Sequence, residues 1–264
     1  SDEVKKVTEL QATPYGTVRN EQFFETHKNI KVITNCRATQ INREAKTVTV
    51  QQLTDGSSVT LPYDSLVLAL GSSPNKPFLP GIELQGISTA TTLDEAEYIK
   101  STLTEKSVSH TVVVGGGFIG LELAVAIGEK WKIPTSIVEI APQILPNFLS
   151  SSFARMAQHD MRSQNITVYT DEKVLRFEGA DGRVSNVVTN KREILAELVV
   201  MSAGVHPNTD IAKDAGLAVS EKGLLVVDEY LCTSDPNIYA GGDCVTITNQ
   251  ITQKPGWYPL GSMA

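Results

Sequence analysis

Thr111-Val-Val-Val114, Gly115-Gly-Gly117-Phe-Ile-Gly120 and Leu121-Glu-Leu-Ala-Val-Ala-Ile127 follow one another directly, and Thr135-Ser-Ile-Val-Glu139 comes next. The β-branched run suits a buried parallel strand, and the apolar residues Ile119, Leu123, Ala126 and Ile127 predict a helix packed on it. Between them Gly115 lets the chain turn, Gly117 lets backbone N–H groups approach a pyrophosphate, and Gly120 lets the helix sit close to the strand. An anion there meets the positive end of a helix dipole and its unpaired N–H groups. The second strand ends at Glu139, 19 residues past Gly120. That is near the roughly 20-residue spacing of the acid that binds a ribose 2′-OH. A lone GxGxxG is weak, and a tight glycine turn without ligand is its alternative. Strand, helix and acid in register point instead to dinucleotide binding. No Lys or Arg follows Glu139 until Arg155, and a carboxylate repels a 2′-phosphate, so NAD is expected over NADP.

Composition bounds the rest. With 264 residues the chain can hold one large or two ordinary domains, each with a real core. A formal charge of −7 argues against a nucleic-acid partner, which would want a basic face. No apolar run approaches the roughly 20 residues of a membrane span, and no signal peptide is visible at Ser1. Cys36, Cys232 and Cys244 are too scattered for a disulfide framework, a CxxC pair or a zinc site, so no metal is expected and a reducing cytoplasm is the default.

A repeat is read as organising the chain, the alternative being two strand-rich stretches that simply look alike. Ile30-Lys-Val-Ile-Thr34 reads as a strand, followed by a hairpin region with Thr47-Val-Thr-Val50 and the turn Asp55-Gly56, then Leu66-Val-Leu-Ala-Leu-Gly71 and Ser73-Pro74-Asn75. Ile166-Thr-Val-Tyr-Thr170, the turn Asp181-Gly182, Leu198-Val-Val-Met-Ser-Ala-Gly204 and His206-Pro207-Asn208 repeat that order. Both copies close on Gly-x-x-Pro-Asn. The second belongs to the unit opened by Gly115, 89 residues before Gly204. By analogy the first should have its own glycine turn upstream of Ser1, so the chain is read as lacking its front end. A third region runs Leu225-Val-Val-Asp228, the breaker-rich Thr233-Ser-Asp-Pro-Asn237, and Ile238-Tyr-Ala240 into Gly241-Gly242-Asp243. An acid after two glycines at a strand end sits where open parallel sheets bind ligands, or else caps the next element.

Three motifs carry a family resemblance: Val113-Val-Gly-Gly-Gly-Phe-Ile-Gly-Leu-Glu-Leu-Ala124, Ser202-Ala-Gly-Val-His-Pro-Asn208 and Thr233-Ser-Asp-Pro-Asn-Ile-Tyr-Ala-Gly-Gly-Asp243. The chain resembles the pyridine nucleotide-disulfide oxidoreductases, flavoproteins with two dinucleotide domains, and within them the branch of CoA-disulfide reductases and NADH oxidases. Pro259-Leu-Gly-Ser-Met-Ala264 is similar to the start of a helix beside the flavin in that branch.

The resemblance implies roles residue by residue. Asp243 would hydrogen-bond the flavin ribityl chain; Ala69 and Gly71 match a strand-end Ala-Thr-Gly of the FAD domain, with Leu70 in place of the threonine; Ala38 matches a backbone contact to the FAD adenine. On the NAD side Gly115, Gly117, Ile119 and Gly120 form the turn, and Phe118 replaces a tyrosine gate over the flavin. Glu122 matches a carboxylate near the nicotinamide, though a solvated helix face would explain it equally; Glu139 holds the ribose and Gly204 lies against the nucleotide. The family's redox cysteine would lie upstream of Ser1, leaving no catalytic residue in this chain, and its dimer-forming domain would lie after Ala264. Cys36, Cys232 and Cys244 read as small apolar residues, and His206 as a surface or hydrogen-bonded residue. His27, His110 and His159 show no partner pattern.

The fold class expected is therefore α/β, with two Rossmann-like doubly wound domains of the glutathione-reductase kind, each with a β-hairpin or meander insertion and the FAD domain incomplete. Residues 1–80 and 208–264 are assigned to the FAD domain and 81–207 to the NAD domain, with Lys76 to Gly81 as the first hinge. The resemblance implies hydride transfer from NADH to FAD and on to a small-molecule electron acceptor, a low-molecular-weight disulfide or dioxygen, in a homodimer. Two alternatives remain: a ferredoxin, rubredoxin or nitrite reductase-type flavoprotein, and a non-catalytic NAD-binding module.

Overall fold

A computed structural model describes residues 11–105 and 108–259. The chain divides into two compact units, one from residues up to Ser72 together with those from Pro207 onward, the other from Ser73 to His206.

The second unit is a layered α/β structure. Its parallel strands are β1 (Ile87–Ser88), β2 (Thr111–Val114), β3 (Thr135–Val138), β4 (Ile166–Tyr169) and, last in sequence, β8 (Leu198–Met201). They lie in the order β1-β8-β2-β3-β4. Helices α1 (Leu93–Thr104), α2 (Phe118–Trp131) and α3 (Ser151–Ser163) connect successive strands. A three-stranded antiparallel meander, β5 (Val174–Ala180), β6 (Arg183–Thr189) and β7 (Glu193–Leu195), joins β4 to β8. The β5–β6 turn is the Asp181-Gly182 pair, both residues with positive φ, as a type I′ hairpin requires.

Every residue of β2, β3 and β8 is buried because the sheet is covered on both faces. Val113, Ile137, Leu198 and Val200 point to a core shared with Leu103, Ala124, Ile127 and Met161 of the helices. Val112, Val114, Val199 and Met201 point the other way, onto Phe177, Val187 and Ile194 of the meander. Each large aliphatic side chain so buried contributes about 1.5–3 kcal/mol.

The helix after the glycine turn packs differently from its apolar periodicity. Gly120, Leu121, Ala124, Ile127 and Gly128 form its buried face, whereas Ile119 and Ala126 are exposed and Leu123 half-buried. A Cβ on Gly120 would collide with the Gly115 carbonyl. The glycine edge of α2 therefore rolls onto the strand.

The first unit carries an antiparallel sheet of Cys36–Asn42, Thr47–Gln52 and Ser58–Pro62, a parallel pair of Leu66–Leu68 with Ile238–Ala240, and a small sheet of Leu225–Val226, Val245–Thr248 and Pro255–Gly256. Its core gathers Ile41, Leu68, Leu217, Leu225, Ile238, Cys244 and Val245. The strand expected at Ile30–Thr34 does not form; the stretch is irregular, with Ile30, Val32 and Ile33 exposed. Its counterpart Ile166–Tyr169 is held extended by pairing along β3. Among the described residues no strand pairs with residues 30–34.

Candidate functional site

At the C-terminal ends of β2 and β3 the glycine turn and Glu139 meet. Gly115 has φ of +113°, and a Cβ there would strike the Ser202 carbonyl, so two independent constraints demand glycine. Around Gly117 the opposite holds: a Cβ would meet nothing within 4 Å. Gly117 is also the N-cap of α2 and offers no side chain to its first N–H groups. Open space before an uncapped helix N-terminus is the surround an anion needs.

Glu139 follows β3 and is 8% exposed. Its Oε2 accepts the Gly116 N–H at 2.6 Å and its Oε1 accepts the Ala141 N–H at 2.7 Å. Two backbone donors thus aim one carboxylate, whose remaining lone pairs can still accept from a ligand diol. The Leu145 N–H donates to the Gly116 carbonyl at 2.9 Å, tying the loop after β3 to the turn. From that loop Phe148 meets Phe118 edge-on, ring centroids 4.7 Å apart, and both rings are partly exposed. Ile119 and Glu122 are exposed on the first turns of α2.

Reading along the chain missed one cation. Arg192, from the turn between β6 and β7, lies 4.3 Å over the Tyr169 ring and donates from Nε to Glu172 Oε1 at 3.0 Å. Tyr169 and Glu172 each share a backbone hydrogen bond with Glu139. The absence of Lys and Arg between Glu139 and Arg155 therefore did not exclude a cation from this edge of the sheet. Its guanidinium is committed to the buried Glu172, and no local sequence spacing signals such a pairing.

Beyond β8 the chain turns at Gly204, φ +82°. A cavity of about 490 Å³ lined by Asn75, Lys76, Pro77, Ala203 and His206 opens on this turn. His110 lies at the other end of the sheet, just before β2, with Nε2 2.9 Å from Ser136 Oγ. Burial lowers its pKa, partly countered by Glu197. It takes no part at the glycine turn.

In the first unit Asp243 lies in the short 3-10 turn Gly242–Cys244, whose N-cap is Gly241. Its Oδ2 accepts the Ser72 hydroxyl at 2.9 Å, and its carbonyl accepts the Trp257 indole N–H at 2.9 Å. Gly71 has φ of +64°, and Ala69, two residues before it, is exposed. Ala38 is exposed beside a bulge in its strand. Cys244 is buried, its Sγ 3.2 Å from the Gly241 carbonyl; Cys36 and Cys232 are half-buried. Leu260–Ala264, at the stretch compared with a flavin-side helix, lies outside the described residues. Among the described residues no three His, Cys, Asp or Glu side chains gather as a metal site, and no helix is long and apolar enough to cross a membrane.

The residues present fit a dinucleotide in the second unit: an open glycine position, free N–H groups and an oriented carboxylate. In the first unit the strand-end Gly71 and the acid Asp243, held by Ser72, suit a hydroxylated chain.

The chain is 33% identical over 226 residues to an NADH oxidase of Enterococcus faecalis, covering 85% of this chain and 50% of that protein. The structure of an NAD-dependent persulfide reductase from A. fulgidus superposes with a TM-score of 0.93 at 39% identity, covering 98% of this chain and 47% of the other. That of an FAD-dependent pyridine nucleotide-disulphide oxidoreductase from Desulfovibrio vulgaris gives 0.80 at 48% identity, covering 88% and 59%. The chain spans about half the length of such relatives. Residues 2–257 match the family described as pyridine nucleotide-disulphide oxidoreductase. On that match, and on an α/β fold built around the glycine turn, the chain belongs to that family.

Proposed function

We propose that the intact protein is a flavin-dependent oxidoreductase that takes a hydride from NADH and reduces a low-molecular-weight disulfide or persulfide, or dioxygen. One observation carries the nucleotide half of this reading: the Glu139 carboxylate, aimed by the N–H groups of Gly116 and Ala141 at the edge of an open glycine turn. A ribose diol can donate to that carboxylate, whereas a 2′-phosphate would be repelled. Gly115, Gly117 and Gly120 shape the turn, the N-terminus of α2 receives the pyrophosphate, and Phe118, Ile119, Glu122 and Gly204 line the path toward the nicotinamide. In this reading the NAD domain, expected over residues 81–207, corresponds to the unit from Ser73 to His206, and the other unit contributes Ala38, Ala69, Gly71 and Asp243 to the FAD domain. FAD, where bound, supplies the hydride acceptance and onward electron transfer that no side chain here can perform. The chain's own contribution is to bind, orient and cover. The NADH oxidase and persulfide reductase among the similar proteins support the choice of acceptors.

Calorimetric titration of the 264-residue chain tests the nucleotide half. NADH should bind, and NADPH should bind at least about tenfold more weakly, the effect of one unfavourable charge contact. Failure of NADH to bind, or equal affinity for both, would count against it.

A further inference from the structure

We propose that Asn75 is a positioning residue for the nicotinamide end of the dinucleotide site, acting through the Gly204 turn; this rests on the reading that Gly204 lies against the nucleotide. Asn75 closes the first sequence copy of Gly-x-x-Pro-Asn, yet its hydrogen bonds go to the second. Its backbone N–H donates to the Gly204 carbonyl at 2.9 Å, and its Nδ2 donates to the carbonyls of Ala203 at 3.2 Å and Val205 at 3.4 Å. Those two carbonyls fix the amide orientation, so Oδ1 faces His206 Nδ1 at 2.9 Å and that nitrogen carries the hydrogen. One asparagine thus binds four consecutive residues, 203 to 206.

The turn needs such a brace. Gly204 sits at φ +82°, and a Cβ there would come within 3.3 Å of Asn75 Nδ2. The amide therefore packs directly beneath the one residue that only glycine suits. A cavity lined by Asn75, Lys76, Pro77, Ala203 and His206 adjoins the turn, and Gly204 itself is exposed.

A second instance of the device stands in the other unit. Asn208, which closes the second copy, donates its N–H to the Gly71 carbonyl at 3.1 Å and its Nδ2 to the Leu70 carbonyl at 3.0 Å. Gly71 too has positive φ. Each asparagine braces the strand-end glycine of the copy it does not belong to. A side-chain amide donating to carbonyls on a left-handed glycine turn recurs at both places, which a chance surface contact would not do.

Calorimetry with NADH and with ADP-ribose, which lacks the nicotinamide, separates positioning from a general structural role. The 264-residue chain should bind both, NADH more tightly. Asn75→Ala should weaken NADH binding about tenfold, the usual effect of losing one or two hydrogen bonds, and leave ADP-ribose affinity within about twofold. Asn75→Asp keeps the size and the acceptor toward His206 but loses the donors to Ala203 and Val205, and should show the same split. Unchanged NADH affinity in both variants would overturn the role of Asn75 alone. Equal weakening of both ligands would also overturn it, since Asn75 would then only stabilise the unit. Wild-type chain that binds NADH no more tightly than ADP-ribose, or neither ligand, would overturn the reading of Gly204 beneath it.

Discussion

The Glu139 carboxylate accepts the Gly116 N–H at 2.6 Å, so the acid and the glycine turn are one hydrogen-bonded unit before any ligand arrives. Preorganisation of this kind favours affinity because the side chain has little rotamer freedom left to lose on binding. Glu139→Gln keeps an acceptor for Gly116 but removes the charge. NADH affinity should fall about tenfold and discrimination against NADPH should narrow, both read from calorimetric Kd values. A variant that kept the full preference for NADH would show that the carboxylate does not face the ribose.

The glycines of the turn should separate stability from binding. A Cβ at Gly120 runs into the Gly115 carbonyl, so Gly120→Ala must push helix from strand. A loss of about 2 kcal/mol or more in urea unfolding is expected. Gly117 has open space and an extended φ of −82° with ψ of −177°, which alanine adopts freely. Gly117→Ala should cost under about 1 kcal/mol, a cap preference at most, while its methyl obstructs the pyrophosphate and weakens NADH binding. The reverse ranking of the two variants would refute the roles given to these glycines.

The strand-turn-helix unit was legible because each of its constraints is local: β-branched residues for burial, glycines at fixed offsets, an acid at a fixed distance. The buried face of α2 was legible only in part: Gly120 against the strand and Ile127 inward follow from the sequence, but hydropathy also places Ile119 and Ala126 inward, which are exposed, while Gly128 carries no hydropathy signal and is buried. Ile30–Thr34 shows the same limit from the other side. Its composition matches β4, but a strand exists only where a neighbour takes its hydrogen bonds. The motif ending in Asn75 was legible but its partners were not, and Arg192 gave no signal, because those partners stand 128 and 20 residues away, fixed by the fold rather than by spacing.

Acid should loosen the start of α1 through Glu95. Burial opposes its ionisation, but the Thr89 hydroxyl, the Thr91 N–H and hydroxyl, and the Thr92 N–H outweigh it and hold the carboxyl at about 2, below the ordinary 4.5. Thr92 and Glu95 also form a capping box. A depressed carboxyl stabilises the folded state above the unfolded pKa, and that contribution is lost as pH falls from about 4.5 toward 2. Because the group is partly solvated the effect should be on the order of 1 kcal/mol. Glu95→Gln should be less stable at pH 7 and should lose less than the wild type on acidification; parallel unfolding curves would rule this out.

His110 sets a second pH dependence, in a higher range. Burial beside Ser136 lowers its pKa from 6.5, and the nearby Glu197 only partly restores it. The folded state therefore prefers the neutral ring, while the unfolded chain binds a proton more readily. Stability should be fully present above about pH 6.5 and decline as pH falls from there toward the folded pKa, where the loss levels off. His110→Asn removes the titrating group and retains a donor for Ser136. Its melting temperature should vary less than the wild type's between pH 7 and 5, with the difference centred on the histidine range rather than the carboxylate range. An unchanged slope would mean that protonated His110 is accommodated in the fold, with Glu197 compensating more fully than burial penalises.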